Sequence, residues 1–279
     1  GGFTNMEFIR SPSLWSKFLK RNGYTIHECI GAGSFGDVFA VTKEVTGVRL
    51  AMKRLVSRGS ISDDTYAMTE INALLTFDHL NIIGLEEFFM WNSLACVVLE
   101  LAPCGNLEVM ILERDRKVKD IFIQISFRQL LSAVNYCHGL GYAHRDINPS
   151  NILIFNDNLV KLADFGLCVQ CIDENTRESI MCSDYLGHEA FLAPEVKLQK
   201  PFNPISSDVW SLGCVLFFML NRGNPPTNVS DPSKMTDIIE KVMDQNAFKS
   251  VCLIMLKNSL CTRALKRPHV SQLISFWTY

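Results

Sequence analysis

Several groups of residues in this chain have types and spacings that could do chemistry. Gly31, Gly33 and Gly36 form a G-x-G-x-x-G-x-V run that ends on Val38. Glycines at such positions let the backbone approach phosphate oxygens and turn N–H groups toward them. The run by itself is a weak signal, because a dinucleotide-binding fold shares its first six positions. Here the segment 37–41 reads as another strand where that fold would need a helix, and no β-α-β unit follows. Lys53 stands seventeen residues beyond Gly36, after the apolar Leu50-Ala51-Met52, and would bring an ammonium near bound phosphates. Glu70 lies seventeen residues further on, where a carboxylate could orient that lysine and keep it charged. Taken alone, Lys53 reads more readily as a solvated lysine at a strand end, and Glu70 as a solvated glutamate on a helix face. A denser block follows, His144-Arg145-Asp146-Ile147-Asn148-Pro149-Ser150-Asn151. Asp164-Phe165-Gly166 begins thirteen residues after Asn151, and Ala193-Pro194-Glu195 comes later.

Elements of two kinds must position these groups. Residues 24–56 read as strands, rich in β-branched and apolar residues with Gly-containing turns between them. The segment 63–77 switches to helical spacing, with Met68, Ile71, Leu74 and Leu75 expected on one face. The acidic pair Asp63 and Asp64 suits the start of that helix. Strand-like runs return at 82–90 and 95–101. Beyond Pro103-Cys104-Gly105 the chain reads as helices at 106–113, 118–139, 206–221, 232–243, 248–258 and 268–277. A strand-rich third followed by a helix-rich remainder predicts a segregated α+β fold in two lobes, divided near 102–105.

With these motifs in this order, residues 24–277 resemble the eukaryotic protein kinase family, in its serine/threonine branch. The resemblance implies a bilobal fold. An N-lobe (24–102) would hold a small antiparallel sheet and one main helix, and a C-lobe (106–279) would be mainly helical, after an N-terminal extension (1–23). It implies that Gly31, Gly33 and Gly36 cover the phosphates of ATP, and that Lys53 holds them and pairs with Glu70. Asp146 would be the base that orients the substrate hydroxyl, and Asn151 and Asp164 would hold Mg²⁺, or Mn²⁺ in its place. Glu100 and Ala102 would offer backbone groups to adenine, with Leu99 as gatekeeper and Val38, Ala51 and Leu153 against the ring. Leu74, Leu85, His144 and Phe165 would stack as a spine. Asp208 would brace the catalytic loop, and Glu195 would pair with Arg267. The residue types suit the reaction, since phosphoryl transfer is mainly positioning and charge neutralisation. Oxygen donors also suit the hard Mg²⁺ ion.

The chain departs from the family pattern at two places that meet beside the catalytic aspartate in relatives. Asn148 stands where that branch has lysine, and His188 follows Gly187 where it has threonine. Asparagine cannot neutralise charge on the transferred group. A cationic His188 could restore it, and a neutral packing histidine is the plainer reading. Asp184 sits three residues before Gly187, where many relatives are phosphorylated, and could pair with Arg145 unaided; Ser183 is an alternative regulated residue. The positions at which relatives read substrate arginines with acidic side chains are Asn106, Ser150 and Phe218 here, which argues against a basic-directed specificity.

Composition narrows the rest. With 48% hydrophobic and 20% charged residues the chain is not disordered throughout. A net charge of −2 excludes a broad basic surface for nucleic acid. The most apolar run, 210–220, is too short to span a bilayer and fits a core helix. The first ten residues lack the apolar core of a signal peptide, and Gly1 and Gly2 ahead of Met6 read as a cloning remnant covering 1–5. The ten cysteines are scattered, with one C-x-x-C (Cys168, Cys171), and read as reduced thiols rather than a zinc site. The expectation is an intracellular (cytoplasmic or nuclear), monomeric enzyme acting on a protein substrate, away from membranes. The competing readings are a nucleotide-binding pseudokinase that acts as a scaffold and a kinase of lipids or small molecules.

Overall fold

The computed structural model describes residues 12–33, 36–56, 61–91, 94–113, 118–227, 231–244 and 250–277. They fall into two compact units, one within Gly1–Asp78 and Ile83–Ala102, the other within His79–Ile82 and Pro103–Tyr279.

The first unit begins with helix α1 (Pro12–Arg21), an element within the expected N-terminal extension 1–23. A five-stranded antiparallel sheet follows: β1 (Tyr24–Gly33), β2 (Gly36–Lys43), β3 (Arg49–Val56), β4 (Leu85–Trp91) and β5 (Leu94–Glu100), in the order β1-β2-β3-β5-β4. The β1–β2 hairpin turns at the glycine loop, with Gly33 opposite Gly36, so a strand follows that loop as expected. Helix α2 (Ile61–Thr76) lies between β3 and β4 in the chain.

Cross-strand register sorts the side chains onto two faces, because residues directly opposite share a face and neighbours along a strand alternate. Val38 opposes Lys53, Ala51 opposes Leu99, and Lys53 opposes Val97, so all five project from one side. The other side carries Val41, Leu50, Met52, Cys96 and Val98, which form a buried cluster with Trp15 and Leu19 of α1 and with Tyr24. Burying apolar side chains of this kind contributes roughly 1.5–3 kcal/mol each, so α1 is part of the core of this unit.

Helix α2 corrects one expectation. Ile71 and Leu74 are buried as anticipated, but Met68 and Leu75 are exposed. The buried stripe runs through Ala67, Glu70, Ile71 and Leu74 instead. A carboxylate sits inside that stripe because it has a cation to meet there.

The second unit is mainly helical: α3 (Leu107–Glu113), α4 (Asp120–Gly139), α5 (Pro194–Lys197), α6 (Pro204–Leu220), α7 (Pro232–Asp244), α8 (Ser250–Ser259) and α9 (Val270–Phe276). Helix α6 is its axis. Pro204 occupies the first turn, and the Asn203 side chain caps it by accepting from the Ile205 amide at 2.9 Å. Its apolar run is buried on all sides, as a core helix should be. No helix among the described residues is long and apolar enough to cross a membrane. Two short ladders escaped the sequence reading: β7 (Ile152–Asn156) with β8 (Leu159–Leu162), and β6 (Tyr142–Ala143) with β9 (Val169–Gln170). The β6–β9 ladder ties together the two ends of the segment that carries Asp146, Asn151 and Asp164, and the β7–β8 ladder closes the hairpin between Asn151 and Asp164. The stretch His79–Ile82 joins this unit through Asn81, whose amide donates to Gln129 Oε1 and to the Val160 carbonyl, both at 3.0 Å.

Candidate active site

In the first unit, Lys53 and Glu70 are brought together. Lys53 leaves β3 on the face shared with Val38 and Ala51, and its Nζ donates to both carboxylate oxygens of Glu70 on α2, at 3.0 and 2.8 Å. Lys53 is 6% exposed and Glu70 1% exposed, which excludes the solvated readings of both. A lysine so held has its ammonium fixed in one direction. Val38, Ala51 and Leu99 lie beside it on the same face. The Glu100 amide donates to the Gly84 carbonyl at 3.1 Å, and the Glu100 carboxylate accepts from the Gly84 amide at 2.8 Å. The Glu100 amide is therefore already engaged within this unit. Gly36 has φ +147°, and a Cβ there would collide with the Arg54 carbonyl, so only glycine closes this hairpin. The tip of the loop, 34–35, lies outside the described residues, as do the side chains of Asp63 and Asp64.

In the second unit, Asp146 is the centre of a hydrogen-bond cage. Its Oδ1 accepts from Asn148 Nδ2 at 3.0 Å and from the His188 amide at 3.1 Å, and its Oδ2 accepts from Asn151 Nδ2 at 3.0 Å. Asn148 and Asn151 also donate to the Asp146 carbonyl. A carboxylate oxygen can accept two such bonds, so Oδ2 retains room for a further donor. Burial lifts the Asp146 carboxyl above its ordinary value, and nearby Asp164 adds to the rise, while His144 and the two asparagine amides oppose it.

The two departures from the family pattern have physical consequences. Asn148 is buried, and its Oδ1 accepts from the Ser150 amide and hydroxyl, capping the turn Pro149–Asn151. Its side chain therefore orients Asp146. His188 reaches the same carboxylate oxygen by its backbone amide, and its ring packs edge-on against Phe191 at 5.1 Å. Gly187 makes this possible: at φ +113° a side chain there would press on the Arg145 carbonyl at 2.8 Å and on Leu192 at 2.9 Å. So the two changed positions do belong to one network, through an amide rather than through a histidine ring.

The support around the cage matches what the resemblance implies. Asp208 of α6 accepts from the amides of His144 (2.8 Å) and Arg145 (2.9 Å), holding Arg145 at φ +66°. His138, at the end of α4, makes a third bond to Asp208 at 2.8 Å, and sequence reasoning missed it. Only its place in the last turn of a helix, close before the His144 block, hinted at a role. Asp164 also lies in the left-handed region, at φ +60°, and Phe165 meets the His144 ring at 4.8 Å. Strained backbone of this kind persists where its surroundings over-determine it. Arg145 pairs with Asp184 at 2.9 Å, as the aspartate's position anticipated. Arg267 forms a two-point pair with Glu195, at 2.5 and 2.8 Å, over the Trp210 ring. Leu153 is half-buried in β7. Cys168 and Cys171 are buried, and burial pushes the Cys171 thiol up to about 12. No cluster of three or more His, Cys, Asp or Glu able to hold a metal occurs among the described residues.

Comparison with known proteins agrees with this geometry. The sequence matches the protein kinase domain over residues 24–276, and the chain belongs to that family. Testis-specific serine/threonine-protein kinase 2 of Mus musculus is 30% identical over 264 residues, covering 92% of this chain and 73% of that protein. Maternal embryonic leucine zipper kinase of Xenopus tropicalis is 34% identical over 198 residues, covering 71% of this chain. Sperm motility kinase 2B of Mus musculus is 34% identical over 212 residues, covering 76% of the chain. The match spans 30% of the Xenopus protein and 42% of the sperm kinase.

Proposed function

We propose that the chain is an ATP- and Mg²⁺-dependent protein serine/threonine kinase with Asp146 as its base. The observation that carries this reading is the Asp146 cage: three N–H donors fix the carboxylate and leave Oδ2 able to receive a proton. ATP, when bound, supplies the phosphoryl group that a protein hydroxyl accepts. Lys53, oriented by Glu70, holds a positive charge for its phosphates, and the amides of Gly31, Gly33 and Gly36 add donors. Asn151 donates through Nδ2 to Asp146, so its Oδ1 is the atom suited to Mg²⁺. With the Asp164 carboxylate this makes a set of hard oxygen donors, to which phosphates and water add the rest. Asp146 orients the hydroxyl and takes its proton at Oδ2.

The substrate is a protein. Asn106 caps α3 through Oδ1, Ser150 binds Asn148, and Phe218 is buried against Phe191, so these three side chains offer no acidic pocket for arginines. Free cysteines throughout support a reducing, intracellular setting. A second reading, a nucleotide-binding scaffold, draws on Asn148, whose side chain is engaged with Asp146 and places no positive charge there. Incubating the chain with labelled ATP, Mg²⁺ and a peptide library separates the two. We expect phosphoserine and phosphothreonine without enrichment for upstream arginine. Phosphotyrosine alone, or no incorporation, would contradict the proposal.

A further inference from the structure

The face of the sheet opposite Lys53 holds an unassigned arrangement. Arg54 follows Lys53 in β3 and so projects the other way, toward α1. Its guanidinium lies over the Trp15 ring at 5.2 Å and over the Phe39 ring at 5.3 Å, the two rings packing against each other at 6.5 Å. From its place over the two rings it pairs with Asp37 Oδ2 at 2.7 Å. Asp37 is the residue immediately after Gly36, and it lies directly across from Arg54 in the β2–β3 register. The same residue touches the loop a second way, because the Arg54 carbonyl occupies the space a Gly36 side chain would need. Side chain and backbone of Arg54 therefore both bear on the Gly36–Asp37 end of the glycine loop. Trp15 is 3% exposed. Its Nε1 and Arg54 Nε are buried without a hydrogen-bond partner among the described residues, so geometry here is held by stacking and the single ion pair.

We infer that Arg54 is a positioning residue for the phosphate-binding loop, and that α1 sets it through Trp15. The inference rests on the nucleotide-binding reading above. One residue of β3 faces the phosphates and the next ties down the loop that covers them. A planar guanidinium suits this task, since it can stack on two rings and still present a fork to a carboxylate. Helix α1 would then tune nucleotide affinity from the back of the sheet.

The test is calorimetric titration of Mg·ATP into the full chain and its variants, with a thermal melt of each in the absence of nucleotide. Arg54→Met keeps the apolar stem and removes the ion pair, and Asp37→Asn removes it from the other side. Each is expected to weaken Mg·ATP binding about three- to tenfold, the scale of a partly desolvated, stacked ion pair. The double variant should bind no more weakly than either single one, since both remove the same link. Trp15→Ala should weaken binding in the same direction, and Trp15→Phe should restore most of it. Asp37 is partly exposed, so Asp37→Asn tests the link even where Trp15→Ala does not fold. In steady-state kinetics the loss should appear as a raised KM for ATP, with kcat at saturating ATP within about twofold of wild type. Lower melting temperatures with unchanged Mg·ATP affinity would overturn the inference, leaving Arg54 a purely structural residue. Absence of Mg·ATP binding by the wild-type chain would overturn the nucleotide reading, and this inference with it.

Discussion

At the scale of single residues, the protonation of Asp146 gives the sharpest handle. Burial and Asp164 raise its pKa, while Asn148 and Asn151 lower it by donating to the charged form. The base must be ionised to take a proton, so kcat/KM should fall on the acid side at a pH above the ordinary aspartate value. Asn148→Ala removes a donor to the carboxylate and should move that limb to still higher pH. A pH–rate profile checks this, and a limb that stays in place or moves down would contradict the positioning role of Asn148. His188→Gln keeps the backbone amide and should leave the profile unchanged. The types and order of Lys53, Asp146, Asn151 and Asp164 made their chemistry legible in the sequence. The directions of Asn148 and His188 were not, because they depend on the turn at Pro149–Asn151 and on a glycine at φ +113°. Glu70 looked like a surface residue for a related reason: burial of a carboxylate is understood only once its partner's strand face is known.

Among the elements, α1 and the segment bearing Asp184 carry consequences of their own. Leu19 is fully buried against the back of the sheet, so Leu19→Ala should cost about 2–5 kcal/mol. Thermal or denaturant unfolding reads that directly, and a loss well below 1 kcal/mol would remove α1 from the core. The helix was readable in principle, since Leu14, Trp15, Phe18 and Leu19 recur at helical spacing. It stayed hidden because its apolar stripe has meaning only against the sheet it covers. The two-residue ladder of β6 and β9 was beyond local pattern altogether, since tertiary pairing alone defines it. Asp184 already occupies Arg145, so the unphosphorylated protein should be active. Asp184→Ala should lower that activity several-fold and Asp184→Glu should retain most of it. Equal activity in wild type and Asp184→Ala after phosphatase treatment would show that the pair has no such role. The ion pair is largely exposed on the Asp184 side, so its effect should weaken as salt rises.

For the molecule as a whole, the division into a strand-rich and a helix-rich unit was the most legible feature, because strand-like runs dominate up to residue 101 and helical spacing dominates beyond 105. Each unit holds its own fixed charges: Lys53 with Glu70 in the first, and Asp146 with its three donors in the second. Belonging to the protein kinase family states the ancestry of this arrangement. Turnover is a separate claim, and it depends on whether a catalytic loop with asparagine at position 148 still transfers phosphate. Single-turnover transfer from labelled ATP with Mg²⁺ to a protein substrate, comparing wild type with Asp146→Asn, addresses it most directly. Incorporation onto serine or threonine by the wild type, reduced by several orders of magnitude in Asp146→Asn, is the predicted result. Nucleotide binding by the wild type with no incorporation, or equal incorporation by both proteins, would contradict the assignment of Asp146 as the base of an active kinase.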